Sequence, residues 1–334
     1  MTSLQTKLAK RITRRIDIAS LLMRGSLGVL LAVSLLVIFL IVFSNRFLTS
    51  TNFFATSRAF SLWAVIGFSQ LFALVIGHLN LSVGAIGGLS AVTTGWLFQA
   101  YELPVWIPVL AGIAMGTSCG LLNGLLITKT GINAFVITLG TASVYTGMIF
   151  GFTHALPFSQ IPSSFEYIGG GSLFGTVPIL FFIMVGIAII LWLFFNYTVL
   201  GRRMLVTGGN REAARLSGIN IDRVTLLAHL FSGLLAGVGG VLYVARLGSA
   251  QPSIGMNWVL TSFAVPIIGG TALSGGTTSI LGAVLGAVLI TLISNGLVLL
   301  RVDIFWEQFF LGVILLIAVG IDRARTVYIE RKYY

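Results

Sequence analysis

The chain has 334 residues, 57% of them hydrophobic and 9% charged, with a formal net charge of +11 and a mean hydropathy of +1.02. Soluble domains carry about 25% charged residues, so this composition excludes a water-soluble enzyme or binding module and describes a polytopic membrane protein. The positive charge would suit a nucleic-acid binder, but its distribution along the chain gives it another meaning.

A basic tail, residues 1–24, comes first. Ten apolar runs follow, at about 25–43, 59–76, 82–99, 105–127, 133–152, 176–195, 223–245, 257–271, 277–299 and 304–320. A helix needs roughly 20 apolar residues to cross about 30 Å of hydrocarbon. These runs are continuous, whereas the strands of a membrane β-barrel alternate over about 10 residues. The expected fold is therefore an all-α polytopic membrane protein of about ten transmembrane helices. The first run, Gly25–Phe43, is long enough to span and lacks a small-residue cleavage site, so it is read as a span and not as a signal peptide. The eighth run is short, with Gly- and Ser-rich edges. Cys119, the single cysteine, lies inside an apolar run and is read as a small packing residue. The transmembrane domain is taken as 25–320, followed by a tail at 321–334.

Lys and Arg concentrate on cytoplasmic segments. With the N-terminus inside, sixteen of the 20 basic residues fall on one side: the N-terminal tail, Lys129, five between Arg202 and Arg223, and the C-terminal tail. Arg46, Arg58, Arg246 and Arg301 fall on the other. An even number of spans then leaves both termini cytoplasmic. The charge is topological, and no nucleic-acid partner is implied.

Two connections are long. Residues 153–175 face outward and hold Pro157, Pro162 and a Gly triplet, reading as a surface loop able to form a gate or cap. Residues 196–222 face the cytoplasm, and capping rules place a short helix in them. Asn210 is the N-cap, Glu212 lies in the first turn, Ala213, Ala214 and Leu216 favour helix, and Gly218 is the C′ stop. Ala-Ala-x-Leu along one side is read as a docking contact. The candidate coupling set is Asn210, Glu212, Ala213, Ala214, Arg215, Ser217 and Gly218. The alternative is a solvated basic loop.

The stretch "GHLNLSVG", residues 77–84, interrupts two apolar runs. Gly77 and Gly84 allow a helix to break there. Asn80 and Ser82 can satisfy the freed backbone groups or offer neutral hydrogen bonds to a hydroxylated solute, and irregular backbone at membrane depth is tolerated only in protein or beside a cavity. Asn80 and Ser82 are therefore expected to face a water-accessible pathway. A related pattern, G-x-x-x-L-S-x-G, recurs at Gly269, Leu273, Ser274 and Gly276. In "INAFVITLGT", Thr138 and Thr141 either face the pathway or bond back to their own helix. Asn133, Phe135 and Tyr145 are read as pathway-facing as a group. Most of the 40 glycines are read as packing devices, because small residues let helix backbones approach closely in lipid.

None of the nine acids lies deep in a run, and Glu307 comes closest. Ion-driven carriers usually need an ionisable group in mid-membrane, which disfavours a stand-alone ion-coupled carrier or channel. The sequence has no Gly-rich phosphate loop, metal-ligand cluster or nucleophile–base constellation, so no catalytic residue, cofactor or metal is expected. His78 and His229 are read as structural. If the chain pumps, a partner supplies the energy through the helix at 210–217.

The run 198–255, with "INAFVITLGTASVYTGM" (132–148), "VPIIGGTALSGG" (265–276) and "NGLVLL" (295–300), resembles ribose-type sugar permeases of ABC importers, in the branched-chain amino acid and sugar permease superfamily. The likeness extends from about residue 45 to 322. It implies a permease of the bacterial inner membrane that works as a homodimer, or a heterodimer with a related permease, with a cytoplasmic ABC ATPase and a periplasmic substrate-binding protein. It implies no enzyme activity in this chain. The family carries Gly-Gly-x-Asp-Leu-Ser-Val-Gly where this chain has residues 77–84, matching at Gly77, Leu81, Ser82, Val83 and Gly84 and departing at His78 and Asn80. The resemblance implies a small neutral sugar, with nucleosides, branched-chain amino acids or a furanosyl signalling molecule as alternatives within the same scaffold.

Overall fold

The computed structural model describes residues 25–303 except residue 174, together with parts of 306–320. The tails at 1–24 and 321–334 lie outside the described residues, and the run at 304–320 falls only partly within them. The elements are α1 (Gly25–Phe43), α2 (Ser50–Val75), α3 (Val83–Ala100), α4 (Trp106–Thr130), α5 (Ala134–Thr153), α6 (Ser163–Gly170), β1 (Ser172–Leu173), β2 (Val177–Pro178), α7 (Ile179–Tyr197), α8 (Val199–Gly209), α9 (Arg211–Leu216), α10 (Ile221–Leu247), α11 (Trp258–Ile268) and α12 (Ile280–Leu299). Six of them, α2, α4, α5, α7, α10 and α12, are long and apolar enough to cross a membrane.

Nine of the ten apolar runs correspond to described helices, α1 to α5, α7 and α10 to α12, with informative differences. α2 begins nine residues before the expected 59, because Thr49 caps it: its Oγ1 accepts from the Asn52 amide at 3.3 Å. The eighth run shrinks to α11, whose 11 residues extend about 16 Å at 1.5 Å per residue, about half the hydrocarbon thickness. The outward connection is more than a loop. It holds α6 and a small antiparallel ladder in which Ser172 faces Pro178 and Leu173 faces Val177. Phe165 and Gly169 are buried, and Gly169 sits against the backbone of Ala245 and Arg246 at the end of α10. The other long connection contains two helices, α8 as well as α9.

α10 is the central helix and packs against α4, α3 and α2. Its glycines explain how. A Cβ on Gly116 of α4 would lie 2.6 Å from Gly237 Cα, and one on Gly233 would lie 2.6 Å from Gly120 Cα. Gly124 meets Leu226 further along, so α4 and α10 run antiparallel in backbone contact. α3 lies parallel to α10, with Gly87 against Gly240 and, just past the end of α10, Gly95 against Ala250. In lipid no hydrophobic force draws helices together, so such close backbone packing supplies the attraction. An aromatic cluster fills one side, where the Phe72 ring lies 5.6, 5.3 and 5.2 Å from Phe194, Phe195 and Phe231.

Candidate functional site

The break after α2 is held by a buried polar network. Asn80 is fully buried; its Nδ2 donates to Ser232 Oγ on α10 at 2.9 Å. Its Oδ1 accepts from the Ser82 amide at 3.0 Å and from Ser82 Oγ at 2.7 Å. Asn123 Nδ2 on α4 donates to Ser82 Oγ at 2.7 Å. Tyr145 Oη on α5 lies 3.2 Å from both Asn123 Oδ1 and the Cys119 carbonyl, two acceptors that share its one proton. The amide of Gln70, in the orientation that satisfies both its ends, donates to the Asn80 carbonyl at 2.9 Å and accepts from the Asn80 amide at 3.1 Å. Thr138 completes the ring of contacts. Its Oγ1 accepts from the Leu81 amide at 3.1 Å and lies within bonding distance of the Leu79 and Ala134 carbonyls, at 3.2 and 2.7 Å. Four helices, α2, α4, α5 and α10, are thus tied to one non-helical turn, and the groups freed by the helix break are satisfied as a buried backbone demands.

This arrangement corrects one expectation in its geometry. Asn80 and Ser82 do not face water in this conformation: both are fully buried, with their polar atoms turned on one another. Thr138, Thr141 and Tyr145 are buried as well, and the two threonines bond back to their own helix, Thr141 Oγ1 donating to the Thr138 carbonyl at 3.3 Å. Asn133 is exposed and caps α5, accepting from the Phe135 amide at 2.8 Å. Phe135 and Ser274 are exposed. None of these eight residues lines either of the two cavities that border the connection between α10 and α11.

The two glycine-interrupted segments meet. The Gly276 amide donates to the Val75 carbonyl at 2.9 Å, closing the end of α2. Gly77 has φ +75°, a left-handed value that suits glycine, and a Cβ there would lie 3.0 Å from the Ser274 carbonyl oxygen. Gly208, near the end of α8, packs on the same knot, against the Val75 carbonyl and 2.6 Å (from its would-be Cβ) from the Gly276 nitrogen. The chain passes from α8 into α9 beside this point, through Asn210.

α9 has the caps read from its sequence. Asn210 Oδ1 accepts from the Ala213 amide at 2.9 Å. Gly218 has φ +78°, its amide donates to the Arg215 carbonyl at 3.0 Å, and the Ile219 amide donates to that of Ala214 at 3.1 Å; this pair of bonds is the Schellman pattern. Ala213 and Ala214 do not share a side, as the docking reading had it. Ala214 is fully buried against the protein, whereas Ala213, Arg215 and Ser217 are exposed and Leu216 is 82% exposed.

Sequence reasoning missed three groups. Asn123, Ser232 and Gln70 are single polar residues within apolar runs, and only the fold brings them to the turn around Asn80. His78 and His229, read singly, are a pair, with Nδ1 of the first 3.3 Å from Nε2 of the second. The third is the segment 249–257 between α10 and α11. It runs beside α3 in turns, from Ala250 against Gly95 to Gly255 against Gly84, and Trp258 packs on Gly87 and Gly239. The signal was present in "SAQPSIGMN", a polar Pro- and Gly-containing stretch joined to a span too short to cross. One cavity of about 280 Å³ and a smaller one of about 90 Å³ are both lined by Ile254 and Gly255 of this segment.

A family described as "Branched-chain amino acid transport system / permease component" matches residues 52–319. The chain belongs to this permease family. Among curated relatives, the ribose import permease protein of Bacillus subtilis (strain 168) is 34% identical over 302 residues, covering 90% of this chain and 93% of the relative. The D-allose transport system permease protein of Escherichia coli (strain K12) is 34% identical, covering 83% and 85%. The galactose/methyl galactoside import permease protein of the same strain is 29% identical, covering 88% and 93%. No solved structure matches the chain. Membership in the family makes the chain a permease, and its apolar helices are those of a multi-pass membrane protein.

Proposed function

We propose that this permease is the membrane-spanning subunit of an ATP-driven importer in the bacterial inner membrane and passes a small neutral sugar. Similarity along nearly the whole chain to permeases named for ribose, allose and galactose import carries the reading. Ten spans with both termini cytoplasmic agree with the split of basic residues. Transport runs through a pair of permease subunits, this chain with itself or with a related permease. A cytoplasmic ATPase hydrolyses ATP, and a periplasmic binding protein delivers the solute.

The geometry supports a route for coupling. α9 exposes Leu216, Ala213 and Arg215 as a docking face, and Gly208, just before it in the chain, touches both helix breaks. A push on α9 is therefore a push on the backbone at Val75 and Gly276. Asn80, Ser82, Thr138 and Tyr145 act in this reading as the buried hinge of the pathway. Asn133, Phe135, Thr141 and Ser274 belong to the same neighbourhood.

Reconstitution with a cytoplasmic ABC ATPase and a periplasmic sugar-binding protein tests the proposal. Uptake of labelled ribose, allose or galactose should require ATP and all three components. Gradient-driven uptake by the chain alone would establish a stand-alone carrier instead. The family's description names branched-chain amino acids, so leucine uptake belongs in the same assay, and ATP-dependent uptake of leucine in place of sugar would replace the substrate class.

A further inference from the structure

We infer that the larger cavity, bordered by the non-helical segment before α11, is a transit site that holds one sugar ring inside the permease; the inference rests on the proposed sugar import. The cavity measures about 280 Å³, at the lower edge of the roughly 300–1,000 Å³ of pockets that hold small molecules. Its walls combine three aromatic rings, Trp63, Tyr243 and Trp258, with the polar side chains of Gln251, Asn257 and Thr261. Among the described residues, none that lines it is charged.

Each part suits a monosaccharide. A pyranose or furanose ring has C–H faces that lie on aromatic surfaces and a rim of hydroxyls that both donate and accept. Amides supply both roles from one side chain. Trp258 is fixed before any ligand arrives: it is 3% exposed, its ring lies 5.3 Å from that of Tyr243, and Gly87 and Gly239 leave room for the indole. A rigid aromatic wall loses little entropy on binding. Asn257 precedes α11 yet makes no capping bond with its side chain, although Asn is among the residues that most favour that role. It lines the cavity instead. An amino-acid zwitterion would need its two charges paired on losing water, and no described lining side chain carries a charge to do so.

The segment's irregular backbone has the same logic. Non-helical chain at membrane depth persists where it is buried in protein or lines a water-filled cavity. Residues 251 and 253–255 border this one. A continuous helix from α10 to α11 would bury the carbonyls and amides that turns present to a solute.

The test uses the reconstituted importer and a cysteine at the site. Asn257→Leu and Gln251→Leu, inserted in the membrane at wild-type levels, should each raise the KM for sugar uptake about tenfold, the effect of about 1.4 kcal/mol of lost interaction. Asn257→Cys should react with a water-soluble thiosulfonate reagent, and ribose, allose or galactose at saturating concentration should slow that reaction, whereas leucine should not. If wild-type importer takes up a sugar while both leucine variants keep their KM, or while sugar leaves the labelling of Asn257→Cys unchanged, the transit site is wrong and the import function stands. If wild-type importer takes up none of the three sugars and none protects the cysteine, both readings fall.

Discussion

Nδ1 of His78 lies 3.3 Å from Nε2 of His229, so one imidazole donates and the other accepts across the gap between the α2–α3 break and α10. His229 is fully buried and His78 is half-buried. With the Asn80–Ser232 bond one turn further along α10, two polar clamps hold the same turn to one helix.

The clamp predicts a double-mutant result. His229→Ala should lower the thermal midpoint of the purified permease more than His78→Ala, because truncating a buried side chain also leaves a cavity. The double variant should fall short of the sum by about 0.5–1.5 kcal/mol, the usual net contribution of a hydrogen bond. Strict additivity in chemical or thermal unfolding would show that the two rings contribute nothing through each other.

The Asn80 hub predicts a larger loss. Asn80→Leu removes the acceptor of Ser82 and the donor to Ser232, at about 1–3 kcal/mol for each buried group left unpaired. Tyr145→Phe loses one shared bond and should cost about 1 kcal/mol. Asn133→Ala, an exposed cap, should cost about that much as well. Midpoints measured in detergent should rank Asn80→Leu far below the other two, and equal midpoints would mean the network is not a structural hub. Asn80→Asp keeps an acceptor for Ser82 but loses the donor to Ser232, so Ser232 must turn and donate for the substitution to be tolerated.

The sequence was most legible where local chemistry decides. Nine of the ten apolar runs marked helices, and Asn210 and Gly218 marked the ends of α9, because a cap is settled by residues three or four apart. The glycines of α4 and α10 were readable as packing devices, though not as partners. Long-range pairing was beyond such reading: Ser232 lies 152 residues from Asn80, and Asn123 lies 41 residues from Ser82, with nothing local to point from one to the other. The same holds for burial. Asn80 and Ser82 read as pathway residues because polar groups at a helix break need partners, and the fold supplied protein partners where water was expected. The segment 249–257 was passed over because polar irregular chain usually lies at the surface.

The junction at Gly208 predicts a loss of coupling. Gly208→Val places side-chain atoms against the Val75 carbonyl and the Gly276 amide. Transport should fall sharply in variants that still insert, because the two breaks are forced apart at the point from which α9 is suspended. On α9 itself, Ala214→Glu puts a charge into a buried contact and should lower stability, whereas Leu216→Glu alters an 82% exposed position and should leave stability unchanged while weakening ATPase binding. Normal ATPase capture by Leu216→Glu in a pull-down would remove α9 from the docking surface.

The last prediction concerns orientation. α6 packs on the end of α10 near Ala245, and α9 leads into its start at Ile221. α10 has 27 residues, about 40 Å at 1.5 Å each, so the two connections lie at opposite ends of a helix long enough to cross a bilayer. Ser163 and Leu216 are exposed and suit the purpose. In intact cells a membrane-impermeant thiol reagent should label Ser163→Cys, and it should label Leu216→Cys only after the cells are opened. Cys119 is buried and should stay silent. The reverse pattern would invert the topology and place α9 where no cytoplasmic ATPase reaches it. Labelling of both positions from one side would mean that α10 does not span, and would undo the ten-span arrangement built on the basic residues.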